Sequence, residues 1–295
     1  LKVLILNPTS EICGVYQYGS CVQSILKKSI KHKYYLSSDL KDIENSDIVI
    51  FNYHEKLFNW LTEDFLISLK KPCLAIGGHD CLPNFKNIQL ILNCDSTSQR
   101  TDKNIPIPRP IKNLTPLQNP QRLTIGSIGF SFSSKNFDKI YSIVSEYYDD
   151  ALIKIHMPQH PNGEDLECII KKIKLNCMGD KNIDIEVTSN FLSDDELINF
   201  LSSNTANIFL LPPMIGEGRG LSSSIDKALS ARKPIAISDS EMYRHISSEK
   251  KFLLSSNSLP EIISYGIDHF KPFLDLYSEE RLINLFDCVV DKFSL

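Results

Sequence analysis

The chain has no apolar run of bilayer-spanning length; its longest are strand-sized, against the roughly 20 residues that a membrane helix needs. No Gly-x-Ser-x-Gly elbow is present, so Ser222, Ser223 and Ser224 lack the context of a serine nucleophile. Walker-A spacing is missing, which excludes an ATPase of that type. The run Gly14-Val15-Tyr16-Gln17-Tyr18-Gly19 falls short of a full dinucleotide fingerprint. Eight cysteines are scattered with no Cys-x-x-Cys pair, and most sit in apolar runs where a free thiol acts as a small hydrophobe. A reduced, cytoplasmic setting without structural zinc is expected. His156 and His160 flank Pro158 and are no helical metal pair, so no metal is assigned. Residues 1–7 lack the cationic and cleavage regions of a signal peptide and read as a first core strand.

Neither sign of charge dominates. A net charge of −4 argues against a polyanion binder as a whole. Lys27, Lys28 and Lys31, and likewise Lys171, Lys172 and Lys174, alternate with apolar positions and read as solvated helix faces.

What is present is the composition of a soluble globular protein: 42% hydrophobic and 23% charged residues over 295 positions, room for two domains. Apolar runs predict strands at residues 2–7, 34–37, 47–53, 72–77 and 89–93, with helices at 17–29 and 60–70 between them. Dense prolines (Pro106, Pro108, Pro110, Pro116, Pro120) exclude a central strand or helix, and an interdomain linker is placed there. The alternation then restarts, with strands at 123–129, 152–157, 183–188, 206–211 and 234–238. Helices follow at 136–148, 166–175, 194–203 and 222–231, the third opened by a Ser193/Glu196 capping box. Residues 274–293 read as two helical pieces. The expectation is two Rossmann-like doubly wound parallel-sheet domains facing a cleft, residues 1–112 and 113–272, with a helical tail at 273–295 that packs back on the first.

The most informative stretch is Gly216-Glu217-Gly218-Arg219-Gly220-Leu221-Ser222-Ser223-Ser224-Ile225-Asp226, between an apolar strand and a helical segment. Glycines admit a ligand close to the backbone, and a helix start offers unpaired N–H groups with partial positive charge. Ser222 and Ser223 add hydroxyls and Arg219 a fixed charge. The alternative is a turn that needed small residues for packing.

Together with Asn7-Pro8 and Cys13-Gly14-Val15 after the first strand, these residues resemble the GT-B glycosyltransferases. More narrowly, they are similar to retaining family-4-type enzymes that use nucleotide sugars. The signature E-G-F-G-L-x-x-x-E followed by K-P-V-I-A stands here as Glu217-Gly218-Arg219-Gly220-Leu221 and Lys233-Pro234-Ile235-Ala236-Ile237. The match covers residues 123–246 well and the first hundred only in pattern.

The resemblance implies a metal-independent, retaining transferase with a nucleotide sugar, UDP-linked among the candidates, as co-substrate and no other cofactor. The diphosphate would lie against Gly220, Leu221, Ser222 and Ser223, with Lys135 as the first cationic candidate and Arg219 the second. Glu217 falls on the first motif glutamate, near the reacting sugar. The second motif carboxylate is displaced: its position is Ile225, and an insertion would bring Asp226 to the ribose hydroxyls. Gly14 and Tyr16 would lie on the sugar and acceptor side, with His79 near the donor sugar and His54 as a turn residue. His245 is read equally as lining the cleft or as a surface residue. The acceptor would be a glycan, a lipid or a modified nucleobase. Two alternatives stand beside this: a phage-type DNA-base glycosyltransferase, marked by salt-dependent DNA retention, and a silent nucleotide-sugar binder, marked by absent donor hydrolysis.

Overall fold

In a computed structural model the chain is described over residues 1–9, 13–78, 82–115, 117–160, 163–176, 179, 181–213 and 220–293. It divides into two compact units: residues 1–112 with 220–223 and 275–293, and residues 113–213 with 224–274.

The first unit holds six parallel strands: β1 (Lys2–Leu6), β2 (Lys33–Ser37), β3 (Ile48–Asn52), β4 (Cys73–Gly77), β5 (Leu90–Asn93) and β6 (Asn104–Pro106), in the order β2-β1-β3-β4-β5-β6. Strands β3 and β4 are buried at every position, as continuous apolar runs covered on both faces must be. Period-two alternation divides their side chains between two cores. Val3, Ile5, Ile48 and Ile50 pack on one face with α1 (Gly14–Leu26), and Leu4, Leu6, Val49 and Phe51 pack on the other with Leu66 of α2 (Glu63–Ser68).

The end of this unit comes from far along the chain. Helix α10 (Glu279–Asp291) places Leu282, Phe286, Val289 and Val290 in the α1 core. Four such side chains at about 1.5–3 kcal/mol each match the whole stability of an ordinary domain, so α10 is structural and not an appendage. Buried Asp287 fixes it further, accepting from Tyr34 Oη at 2.9 Å and from Ser29 Oγ at 2.8 and 2.9 Å. Burial and that carboxylate raise the Tyr34 phenol above its ordinary range.

The proline-dense segment, read from the sequence as an interdomain linker, is packed in its first part. Pro106 ends β6, which is the sheet edge, the one place where a strand spares an N–H. Ile105, Ile107 and Ile111 are buried, and Arg109, almost wholly buried, donates from Nη1 to the Cys94 carbonyl at 2.5 Å and lies 5.1 Å over the Tyr18 ring. Up to residue 111 the segment is therefore part of the first unit's packing.

The second unit carries β7 (Thr124–Ile128), β8 (Asp150–His156), β9 (Asn182–Thr188), β10 (Ala206–Phe209) and β11 (Ile235–Ile237), all parallel, in the order β11-β10-β7-β8-β9. Its helices are α3 (Ile140–Tyr147), α4 (Leu166–Asn176), α5 (Asp194–Ser202), α6 (Ser223–Ala231), α7 (Arg244–Ser247), α8 (Leu259–Tyr265) and α9 (Lys271–Leu276). Both halves of the Ser193/Glu196 capping box form, and Ser258/Glu261 makes a second at α8. The chain winds outward from β7 on both sides, so the sheet switches direction between β7 and β10.

Two expectations are corrected. Helix α3 begins at Ile140 and not 136, because Asn136 takes the left-handed conformation (φ 49°) between two short 3-10 turns. Asn tolerates that conformation where most residues do not. Helix α1 ends at Leu26, so Lys27 and Lys28 lie in its terminal turn and Lys31 in the next loop, off any helix face. Among the described residues no helix is long and apolar enough to cross a membrane.

Candidate functional site

In an open parallel sheet, ligands meet the strand ends where the winding reverses. In the second unit that point lies between the connections leaving β7 and β10, which lead to Lys135 and to the start of α6.

After β7 the chain runs Gly129-Phe130-Ser131-Phe132-Ser133-Ser134-Lys135. A 3-10 turn at Ser133–Lys135, closed by the left-handed Asn136, sends the Lys135 stem back across the strand end. Gly129 makes room: a Cβ there would stand 3.2 Å from Lys135 Cε and 3.3 Å from Cδ. The ammonium has no hydrogen-bond or ion-pair partner among the described residues, and burial pulls it down to about 8 from an ordinary 10.5.

This connection is fastened to the one after β8. Buried Ser131 accepts at Oγ from the His160 N–H (3.3 Å), accepts at its carbonyl from the Glu164 N–H (2.8 Å) and donates its own N–H to Pro158 (3.2 Å). The His160 ring lies 5.0 Å from Phe130 and 5.1 Å from Phe132. Glu164 accepts from the Ser133 N–H at 2.7 Å, and hydrogen bonding to Ser133 holds its carboxyl below the usual range. His156, at the end of β8, meets Thr188 Oγ1 at 2.9 Å through Nδ1, while burial lowers its pKa. None of these ties was read from the sequence, although the Phe-x-Phe alternation at 130 and 132 was the available signal, putting both rings on one side.

Along the run into α6, Gly220, Leu221 and Ser222 are buried and Ser223 is half-buried. Glu217, Arg219 and His79 lie outside the described residues. Asp226 is buried within α6, with its carboxylate 4.0 Å from His245 Nε2. His245 is thus a core residue and not a surface one. Lys227 pairs with Asp194 of α5 at 3.1 Å. Lys233, ahead of β11, donates to the Leu117 carbonyl (2.7 Å) and Asn119 Oδ1 (2.5 Å), which makes it an anchor for that segment.

In the first unit, Gly14 opens α1 with free space where a Cβ would stand, and Tyr16 is half-buried with its carbonyl accepting from Asn7 Nδ2 at 3.0 Å. His54 serves its own turn, its Nδ1 accepting from the Lys56 N–H at 3.3 Å. Among the described residues no group of three or more His, Cys, Asp or Glu side chains is placed to hold a metal.

No protein-family model matches the sequence, and no curated protein matches it. Solved structures do. Anabaena Alr3699/HepE in complex with UDP-glucose aligns over 99% of this chain and 99% of its own, with a TM-score of 0.64 at 10% identity. An alpha-glucosyltransferase (AGT) in complex with UDP aligns over 99% of this chain and 94% of its own, with a TM-score of 0.51 at 11% identity. An alpha-glucosyltransferase with UDP and a 13-mer DNA containing a HMU base gives 0.51 at 12% identity over the same shares. The chain has their fold: two Rossmann-like parallel-sheet domains of the GT-B class.

Proposed function

We propose that the protein is a glycosyltransferase that moves a sugar from a nucleotide diphosphate donor, with a UDP sugar the first to test, to an acceptor hydroxyl. The observation that carries this is the half-buried Lys135, whose ammonium has no partner among the described residues, at the switch point of the second sheet, on a fold shared with UDP-bound neighbours. A cation without a counter-charge is costly to bury, and a diphosphate supplies the missing charge. As the sugar bond breaks, negative charge grows on the leaving diphosphate. Lys135 and the N–H groups opening α6 would stabilise it with no metal ion.

From the sequence, Glu217 takes the sugar hydroxyls, Arg219 backs the phosphates, His79 stands near the donor sugar and Asp226 serves the ribose. Gly14 and Tyr16 border the acceptor. Transfer would proceed with retention, which the anomeric configuration of the product reports. The acceptors to supply are a glycan, a lipid and a modified nucleobase.

The test is calorimetric titration with UDP and with uridine. Lys135→Ala should weaken UDP about 10–100-fold, the worth of a charge-assisted hydrogen bond, and leave uridine unchanged. Equal loss for both removes Lys135 from the phosphate site. Glu217→Gln keeps its shape and should leave UDP affinity nearly unchanged while transfer falls about 10²–10³-fold. A wild-type rate would reduce Glu217 to a loop carboxylate.

A further inference from the structure

The lysines that follow α1 do not serve the switch point. They line a groove of about 770 Å³ at the other end of the first sheet, where Lys2, Lys27, Lys31 and Lys33 surround a single carboxylate, Asp47. That carboxylate is engaged by the Lys2 backbone N–H at 2.7 Å. The ammonium groups of Lys2, Lys27 and Lys33 have no ion-pair partner among the described residues, and Lys31 meets Asp291 only at 3.6 Å. On a chain of net charge −4 this is a concentrated cationic patch.

Ile30 projects from the middle of it. Its relative exposure of 101% is the highest of any large hydrophobic side chain among the described residues. The loop that carries it is not loose. Ser29 Oγ accepts from the Lys31 and His32 N–H groups at 3.2 and 3.3 Å and donates to Asp287, while His32 Nε2 meets Asp291 at 2.9 Å. The fold thus holds an isoleucine out in water with lysines on both sides.

We infer that this loop and groove dock on an anionic phospholipid bilayer, with Ile30 entering the interface and the lysines meeting headgroup phosphates. Charge complementarity calls for a polyanionic surface, and the apolar tip selects lipid over nucleic acid. The patch offers no arginine fork and no exposed aromatic ring, the groups that grip phosphodiesters and stack on bases. Lysine clusters beside an apolar anchor are what interfacial binding needs. The inference does not depend on the transferase reading.

Flotation of the full chain with large unilamellar vesicles tests it. Vesicles of phosphatidylcholine with about a third phosphatidylglycerol should carry the protein up, pure phosphatidylcholine should not, and added salt should release it. Lys27→Ala and Lys33→Ala should each lower partitioning about fivefold. Ile30→Ser should lower it at unchanged charge, with the melting temperature of all three variants held at the wild-type value. No flotation with the anionic vesicles, or an Ile30→Ser variant that floats like wild type, would overturn the inference. So would retention on duplex DNA that is lost in the lysine variants while vesicles stay unbound.

Discussion

At the switch point of the first sheet, between β1 and β3, the strand ends are closed by their own side chains. The Asn52 amide donates to Asn7 Oδ1 at 2.7 Å and to the Val15 carbonyl at 2.6 Å, while Asn7 Nδ2 donates to the Tyr16 carbonyl at 3.0 Å. These bonds clamp the first turn of α1 to the sheet. Gly19 is needed beneath them, since a Cβ there would lie 2.3 Å from Asn7 Oδ1 and 2.5 Å from Asn52 Nδ2. At the switch point of the second sheet, a glycine (Gly129) admits a lysine stem, and the ammonium at its end has no partner among the described residues. One switch point pairs its amides internally; the other holds a charge that no described residue satisfies. The same topology gives a structural lock in one unit and a candidate ligand site in the other.

The comparison breaks most easily at the lock. Gly19→Ala has to separate two buried amides, and urea unfolding should show a loss of about 2–3 kcal/mol. A loss under about 0.5 kcal/mol would mean that the asparagine pair is dispensable.

A smaller effect concerns pH. Lys135 has a folded pKa depressed to about 8, so the free protein loses that cation above this point. UDP affinity should be level between about pH 7 and 8, above the titration of the terminal phosphate, and fall towards tenfold weaker per unit above pH 8, with protons taken up on binding in that range. Affinity that stays flat to pH 10 would detach the lysine from the phosphates.

The smallest effect is on stability without ligand. An amine whose pKa is lowered on folding binds fewer protons folded than unfolded, so between about pH 8 and 10.5 stability rises with pH. The penalty is fully present below that window. Lys135→Met should therefore stabilise the ligand-free protein at pH 7 by about 1 kcal/mol, allowing for a half-exposed side chain, and the gain should vanish near pH 10.5. A destabilised variant would mean that the lysine already has its counter-charge.

Much of this was open to reading from residue order. Apolar runs such as Val3-Leu4-Ile5-Leu6 and Ile48-Val49-Ile50-Phe51 read as two-faced parallel strands, and such runs placed every strand of both sheets to within a residue or two except β6, whose three residues lie in the proline-dense stretch read as a linker. Local chemistry fixed the Ser193 cap for the same reason: its partner is three residues away. The delayed start of α3 was harder, because Asn136 stops a helix only through a backbone conformation that its own pattern does not announce. At the site, Lys135 was picked out only by the resemblance, as a lysine after the first strand of the second unit. The Ser131–His160 tie and the Asn7–Asn52 pair span 29 and 45 positions, and such pairings are decided by strand order alone.

Helix α10 is translated after every strand of the second unit, yet it shares a core with Val3 and Ile5. During vectorial synthesis the second sheet has all its strands available while the first still shows the ribosome the bare apolar face of α1, at Val22 and Ile25. The half of the molecule that is made first is thus finished last, and its hydrophobic flank is the surface that nascent-chain chaperones would meet.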